Sequence, residues 1–251
     1  MAILRTDSLS VSFGGIQALD AVDLTVEVGG VTGLIGPNGA GKTTFIDAVT
    51  GMVPASGSVH LGEHDISGLN TNQRASLGLV RTFQTLELFE DLSVEDNLAA
   101  AATQTRWWHF VVDALVPRRT GAPIPAVEAA LELLGIADDR DRLPSDLSHG
   151  RRRLVGVARA LAASPKVLLL DEPAAGLDSA ESLALGVRLR AIADTGVTVF
   201  LIDHDMGLVL DVCDRIHVLD FGSVIASGSP DEIRADPGVI AAYLGRAAAT
   251  P

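Results

Sequence analysis

Cysteine is almost absent from this 251-residue chain: Cys213 stands alone, so no disulfide can form within it, and it suits a reducing compartment as a small packed apolar residue. Lysine is nearly as scarce, with only Lys42 and Lys166, and the formal net charge is -13. No basic stripe exists to follow a phosphate backbone, which argues against DNA or RNA as a partner. Long apolar runs are missing too. None approaches the roughly 18 residues of a membrane span, and Arg5 and Asp7 interrupt the stretch Met1 to Ser10 where a signal peptide needs an apolar core. The expectation is a soluble chain whose 47% hydrophobic content is inflated by alanine. Aromatics make up only 4%, so Trp107-Trp108-His109-Phe110 stands out. Two readings are open for it: a patch that meets a membrane partner, or a helical insert covering its own small core.

Against these absences, one stretch is dense with chemistry. Gly36-Pro37-Asn38-Gly39-Ala40-Gly41-Lys42-Thr43-Thr44 fits G-x-x-x-x-G-K-[ST] at every fixed position. The apolar, β-branched Val31 to Ile35 precedes it as a buried strand, and a helix is expected to begin near Thr44. Glycines let such a loop curl so that successive N–H groups point inward, and the helix N-terminus adds partial positive charge. Lys42 would reach the β- and γ-phosphates of a nucleotide and the Thr43 hydroxyl would bind Mg²⁺; the alternative is a glycine-rich structural turn. A second half of such a site lies at Leu168-Leu169-Leu170-Asp171-Glu172-Pro173, two carboxylates just past a buried strand. Asp171 is the expected metal-side acid and Glu172 the general base or water-positioning group. Either acid alone is equally compatible with a solvated strand end. The acidic surface does not oppose ATP, which arrives with Mg²⁺.

The length suits one compact unit. Leu9 to Phe13, Ala21 to Val28 and Gly57 to Leu61 read as strands of a β-rich lobe around the loop. The middle turns helical at Val94 to Thr103, Ala126 to Leu134 and Arg152 to Ala163, broken by Pro117, Pro123, Pro125 and Pro144, giving a helical insert over 85–160. Continuous apolar runs return at Val167 to Leu170 and Thr198 to Ile202, typical of parallel strands covered on both faces, with Ala180 to Ala193 as the crossover helix of a βαβ unit. Arg215 to Leu219 and Gly222 to Ala226 suggest a last hairpin, followed by a short helix near Asp231 to Ala235 and a frayed tail from Arg246.

Further motifs resemble one family, the ATP-binding subunits of ABC transporters. Arg81-Thr82-Phe83-Gln84 is similar to its glutamine loop, Leu147-Ser148-His149-Gly150-Arg151 to its signature, Ala175-Gly176-Leu177-Asp178 to the loop that meets its counterpart across a dimer, and Ile202-Asp203-His204-Asp205 to its switch-histidine segment. They follow in family order across nearly the whole chain. The resemblance implies an α/β P-loop NTPase of ABC type with a mostly parallel core sheet, an antiparallel β subdomain and a helical subdomain. It makes residues 1–251 a single ATP-binding domain, with 1–84 and 161–251 as core and β subdomain and 85–160 as helical subdomain. It also implies an ATP hydrolase coupled to transmembrane transport, with Gln84 on Mg²⁺ and the attacking water and His204 on the γ-phosphate. Ser148 and Gly150 would face the ATP of a second subunit, Asp178 would lie at that dimer contact, and Phe13 would stack on adenine. Read without the family, Gln84 is a surface amide, His204 a strand-end histidine satisfied locally, Asp178 a helix cap and Phe13 a core residue.

The signature departs from the common Leu-Ser-Gly-Gly-Gln. His149 in place of glycine requires a tolerant backbone angle or room for its ring, and Arg151 in place of glutamine belongs to the run Arg151-Arg152-Arg153, which either adds charge near the phosphates or forms an exposed basic turn. A bulky residue at His149, the Arg81 to Gln84 motif, Asp171 to Leu177 and the ending Ala241-Ala242-Tyr243-Leu244-Gly245 resemble the branched-chain amino-acid and related amide or urea importers. That implies permease partners, docked through Leu88 to Leu92, a solute-binding protein, and a cytoplasmic site on the inner face of the membrane. A lipid or lipopolysaccharide exporter and a soluble ATPase acting on a protein assembly are the competing readings.

Overall fold

Alternating apolar and polar residues lay out the first hairpin of the computed structural model, β1 (Ala2–Phe13) and β2 (Ile16–Glu27), paired antiparallel from Ala2↔Glu27 to Phe13↔Ile16. Both strands are longer than the alternation suggests. The buried set runs Leu4, Thr6, Leu9, Val11 on β1 and Leu19, Val22, Leu24, Val26 on β2, so the parity of inward positions flips within each strand. The flips coincide with register shifts and with Ser8 (φ 48°) and Ala21 (φ 46°) in the left-handed region, as β-bulges require. β4 (Ser56–Leu61) and β5 (His64–Asp65) complete a four-stranded antiparallel sheet in the order β2-β1-β4-β5.

The structure describes residues 1–82, 88–102 and 124–247. A second sheet has the order β10-β9-β3-β8-β7-β6, comprising β3 (Val31–Ile35), β6 (Leu79–Arg81), β7 (Val167–Asp171), β8 (Thr198–Ile202), β9 (Arg215–Asp220) and β10 (Ser223–Gly228). It is parallel except for the β9–β10 hairpin. Every residue of β3, β7 and β8 is buried, the mark of parallel strands covered on both faces. The two sheets share one core, in which Phe45 and Phe200 meet at 5.8 Å between ring centroids.

The glycine-rich loop leads from β3 into α1 (Lys42–Thr50), which starts two residues earlier than the sequence suggests because Gly41 (φ 107°, ψ 7°) caps it. A short α2 (Thr71–Ser76), with an Asn70/Gln73 capping box, holds Arg74 against the other end of α1. The buried guanidinium donates to the carbonyls of Ala48 and Val49 at 2.9 and 2.7 Å, two of the carbonyls that a helix leaves open at its C-terminus.

Contacts divide the chain into Met1–Gln84 with Lys166–Pro251, and Thr85–Pro165. Within the second unit, α3 (Val94–Ala102), α4 (Pro125–Leu133) and α5 (His149–Ala162) pack Val94, Leu98, Val127, Leu131, Val155 and Ala158 inward. Within the first, α6 (Ser179–Asp194) joins β7 to β8, and α7 (Met206–Val212), α8 (Pro230–Ala235) and α9 (Pro237–Ala247) follow. Among the described residues no helix is long and apolar enough to cross a membrane.

Candidate active site

Parallel pairing decides where the chemistry gathers. Leu34 on β3 and Asp171 on β7 are both in register with Ile202 on β8. The C-terminal ends of three neighbouring strands therefore finish level, and Gly36, Glu172 and Asp203 open the loops at one edge of the sheet, where ligands of parallel α/β folds bind.

Space at that edge is set by glycine. A Cβ on Gly36 (φ 153°) would lie 2.0 Å from the Leu219 carbonyl oxygen, and one on Gly41 would lie 2.7 Å from that of Ala18. Only glycine lets the loop press so closely on the sheet. Gly39 (φ 79°) faces open space on the other side, and Asn38 and Thr43 are exposed with it. The buried Lys42 crosses the loop, its Nζ donating to Gly36 O at 2.7 Å and Pro37 O at 3.1 Å. From the far end of the chain, the phenol of Tyr243 on α9 accepts a hydrogen bond from the Gly36 N–H, while burial raises its pKa.

Asp171, 2% exposed, closes β7, and burial pushes its carboxyl above the ordinary range against the opposing pull of Arg81. Arg81 Nη2 donates to Asp171 Oδ2 at 2.8 Å, while Nη1 pairs with Asp47 on α1. Glu172 has φ 49°, uncommon for a residue with a Cβ, and its N–H donates to Ile202 O at 2.8 Å. The turn after it is held by Asp203, 1% exposed, whose Oδ2 accepts from Ala174 N at 3.0 Å and whose Oδ1 accepts from His204 N and Asp205 N at 2.8 and 2.9 Å. One buried carboxylate thus joins the loops that carry Glu172 and His204. The His204 side chain is 64% exposed, with Nδ1 3.6 Å from Asp203 Oδ1. Asp205 caps α7 and accepts from the Ser182 hydroxyl at 2.7 Å, the main cause of its lowered pKa.

The remaining sequence candidates divide. Phe13, at the end of β1, is 48% exposed and lies outside the core. Asp178 caps α6 in a capping box with Glu181, accepting from Ala180 N and Glu181 N at 2.9 and 2.8 Å. In the second unit Ser148 caps α5, accepting from Arg151 N at 3.3 Å. His149 is the first helical residue and is exposed, without a positive φ, so neither strain nor crowding accompanies it. The helix starts at His149, ahead of the helical spacing read from Arg152 and close to the start near Gly150 that the signature implies. Arg151 is tied to the buried Asp139 and Arg152 to Glu90, so both basic side chains are engaged within their own unit. Gln84 and the Trp107-Trp108 segment lie outside the described residues, and among the described residues no group of three or more His, Cys, Asp or Glu could hold a metal ion on its own.

Sequence reasoning missed Asp203 and Arg81 as parts of the site. The signal for Asp203 was an acid placed directly between a buried strand and a helix cap; that for Arg81 was a lone cation at the end of an apolar strand.

Residues 19–175 match the family model described as ABC transporter. The chain belongs to this family. Residues 223–249 further match the model of the branched-chain amino acid ATP-binding cassette transporter. This ABC ATPase is 38% identical over 251 residues to the high-affinity branched-chain amino acid transport ATP-binding protein LivG of Salmonella typhimurium, which covers 98% of each chain. It is 38% identical over 253 residues to BraF of Pseudomonas aeruginosa, described likewise, and 38% identical over 246 residues to the lipopolysaccharide export system ATP-binding protein LptB of Escherichia coli K12, each again at 98% coverage of both chains. Two solved structures superpose closely. A nucleotide-free ATP-binding cassette from an ABC transporter gives a TM-score of 0.84 at 31% identity, covering 97% of this chain and 99% of the other. The ADP conformation of a cassette gives 0.83 at 32% identity, covering 98% and 99%. As a member of this family the chain is an ATP-hydrolysing subunit.

Proposed function

We propose that this ABC ATPase powers import of branched-chain amino acids or related small amides or urea. The observation that carries the reading is the match of residues 223–249 to the branched-chain model, on a chain similar to LivG and BraF over nearly all its length.

In this reading the loop Gly36 to Thr44 wraps the triphosphate with backbone N–H groups, and Lys42 exchanges its loop carbonyls for phosphate oxygens. Beside the open face at Gly39, the hydroxyl of the exposed Thr43 and the carboxylate of Asp171 at the end of β7 would be the hard oxygen donors for Mg²⁺. When bound, Mg²⁺ neutralises charge building on the phosphate oxygens. Glu172 accepts a proton from the attacking water, and Gln84 orients that water. His204 contacts the γ-phosphate from a loop that Asp203 holds to the Glu172 turn. Phe13 offers an exposed ring for adenine. A second ATP-binding subunit, identical or not, contributes Ser148, Gly150 and the N-terminus of α5 to complete each site, with Asp178 near the contact. Permease subunits bind around Leu88 to Leu92, where Phe89 is 52% exposed, placing the protein on the inner face of the membrane beside a solute-binding protein's pathway.

The similarity to LptB over 246 residues keeps lipopolysaccharide export as a second reading. Affinity purification from the native membrane, followed by ATPase assays in proteoliposomes, separates them. Two hydrophobic permease chains and stimulation by a binding protein loaded with leucine or an amide are expected. Co-purification with lipid-export components, or with a soluble scaffold and no permease, overturns the import reading.

A further inference from the structure

Arg81 is the last residue of β6, with its side chain only 8% exposed, and its two Nη groups serve two carboxylates on different elements. Nη2 holds Asp171 Oδ2 at the end of β7 at 2.8 Å; Nη1 holds Asp47 Oδ1 on α1 and lies 3.4 Å from the sulfur of Met52. The planar guanidinium is suited to such a bridge, because its donors keep a fixed fork that an ammonium lacks. α1 is the helix that carries Lys42 and Thr43 at its start, and Asp47 stands one turn further along it. The bridge thus spans the two halves of the nucleotide site through one buried cation.

We infer that Arg81 is a positioning residue for the metal side of the site: by anchoring Asp171 Oδ2 to α1 through Asp47, it fixes the Asp171 carboxylate relative to Thr43 and so sets the affinity for Mg²⁺-nucleotide. This rests on the assignment of Asp171 and Thr43 proposed above. Removing a hydrogen-bond partner behind a ligating carboxylate costs about 10–100-fold in metal affinity. Asp47, 27% exposed, is the outer anchor, and its loss weakens the hold without releasing Asp171.

The test measures binding of a fluorescent ATP analogue to the full chain in Mg²⁺ and in EDTA. The readout is the ratio of the two affinities, which a purely structural role does not move. For Arg81→Gln the Mg²⁺-dependent gain in affinity is expected to fall about tenfold while affinity in EDTA stays within about twofold. Arg81→Lys keeps the charge but not the fork, and is expected to fall nearly as far. A buried ion pair that loses one partner can prevent folding. Asp47→Asn, on a partly exposed site, then carries the same readout, with an expected loss of about threefold. An unchanged ratio in Asp47→Asn together with either Arg81 variant, or equal loss of affinity in Mg²⁺ and EDTA, overturns the inference. Failure of the underlying site assignment has a different signature: Lys42→Ala would then bind nucleotide in EDTA as the wild type does.

Discussion

At Glu172, position and backbone conformation act together. Its φ of 49° is costly for a residue with a Cβ, by about 1–3 kcal/mol, and is maintained by the bond from its N–H to Ile202 and by Asp203 gripping the turn behind it. That conformation sets Glu172 just beyond the end of β7, at the sheet edge where the Gly36 to Thr44 loop also opens. Glu172→Gln preserves size and hydrogen bonding but removes the base proposed above. The expected result is ATP affinity within about twofold of wild type and turnover lowered by about 10²–10⁴-fold, the contribution typical of a positioned general base. Steady-state phosphate release beside equilibrium ATP binding checks it, and normal turnover would remove Glu172 from the chemistry.

Elements differ in how plainly the sequence announces them. The phosphate loop, β7, β8 and the crossover helix are legible because each rests on a local pattern: fixed glycine spacing, or an unbroken apolar run bounded by turn residues. The full length of β1 and β2 is not legible, since bulges at Ser8 and Ala21 invert the alternation that would have marked them. β6 is three residues long and owes its place to pairing with β7, which no local signal carries. α9 begins at Pro237 in an alanine-rich tail, with Asp236 Oδ1 accepting from Gly238 N and Val239 N at its start, and its link from Tyr243 to Gly36 spans most of the chain. Asp203 and Arg81 escaped for the same reason: their partners are distant in sequence. His217 is a further case. It sits on β9, 4% exposed, and its Nε2–H reaches Thr25 O on β2 at 3.1 Å, joining the two sheets. Nδ1 is buried, with no hydrogen-bond partner among the described residues. Burial lowers the pKa from 6.5 to about 4, despite the bond to Thr25. A neutral imidazole is therefore favoured in the folded state and a charged one in the unfolded state between those values. Stability is fully present above about pH 6.5 and declines as pH falls towards 4, by about 3 kcal/mol in all. In His217→Phe, a slot-filling variant with no charge to gain, that part of the acid limb is expected to flatten. Urea midpoints from pH 7 to 4 test this, and parallel pH profiles for the two proteins would contradict it.

At the scale of the whole molecule, charge opposes the assembly that the proposed function calls for. Each copy carries a formal net charge of -13, and in the proposed reading, if the second subunit is another copy, two such charges meet face to face with two bound nucleotides. Short, partly desolvated contacts to phosphates would be weakened little by salt, whereas repulsion between the remaining surface charges acts over long range and is screened. Raising ionic strength from about 10 mM to about 100 mM shortens the screening length from about 30 Å to about 10 Å, within the width of one subunit. A basic surface or an interface built on exposed ion pairs would respond in the opposite sense, because screening would remove attraction. For Glu172→Gln saturated with Mg²⁺-ATP, the dimer is therefore expected to tighten by about threefold over that range, read by sedimentation velocity across a concentration series. Weakening with salt would mean that attraction between Arg-bearing and acidic patches governs assembly; no dimer at any salt would mean that a permease, rather than ATP alone, must bring the two halves of the site together.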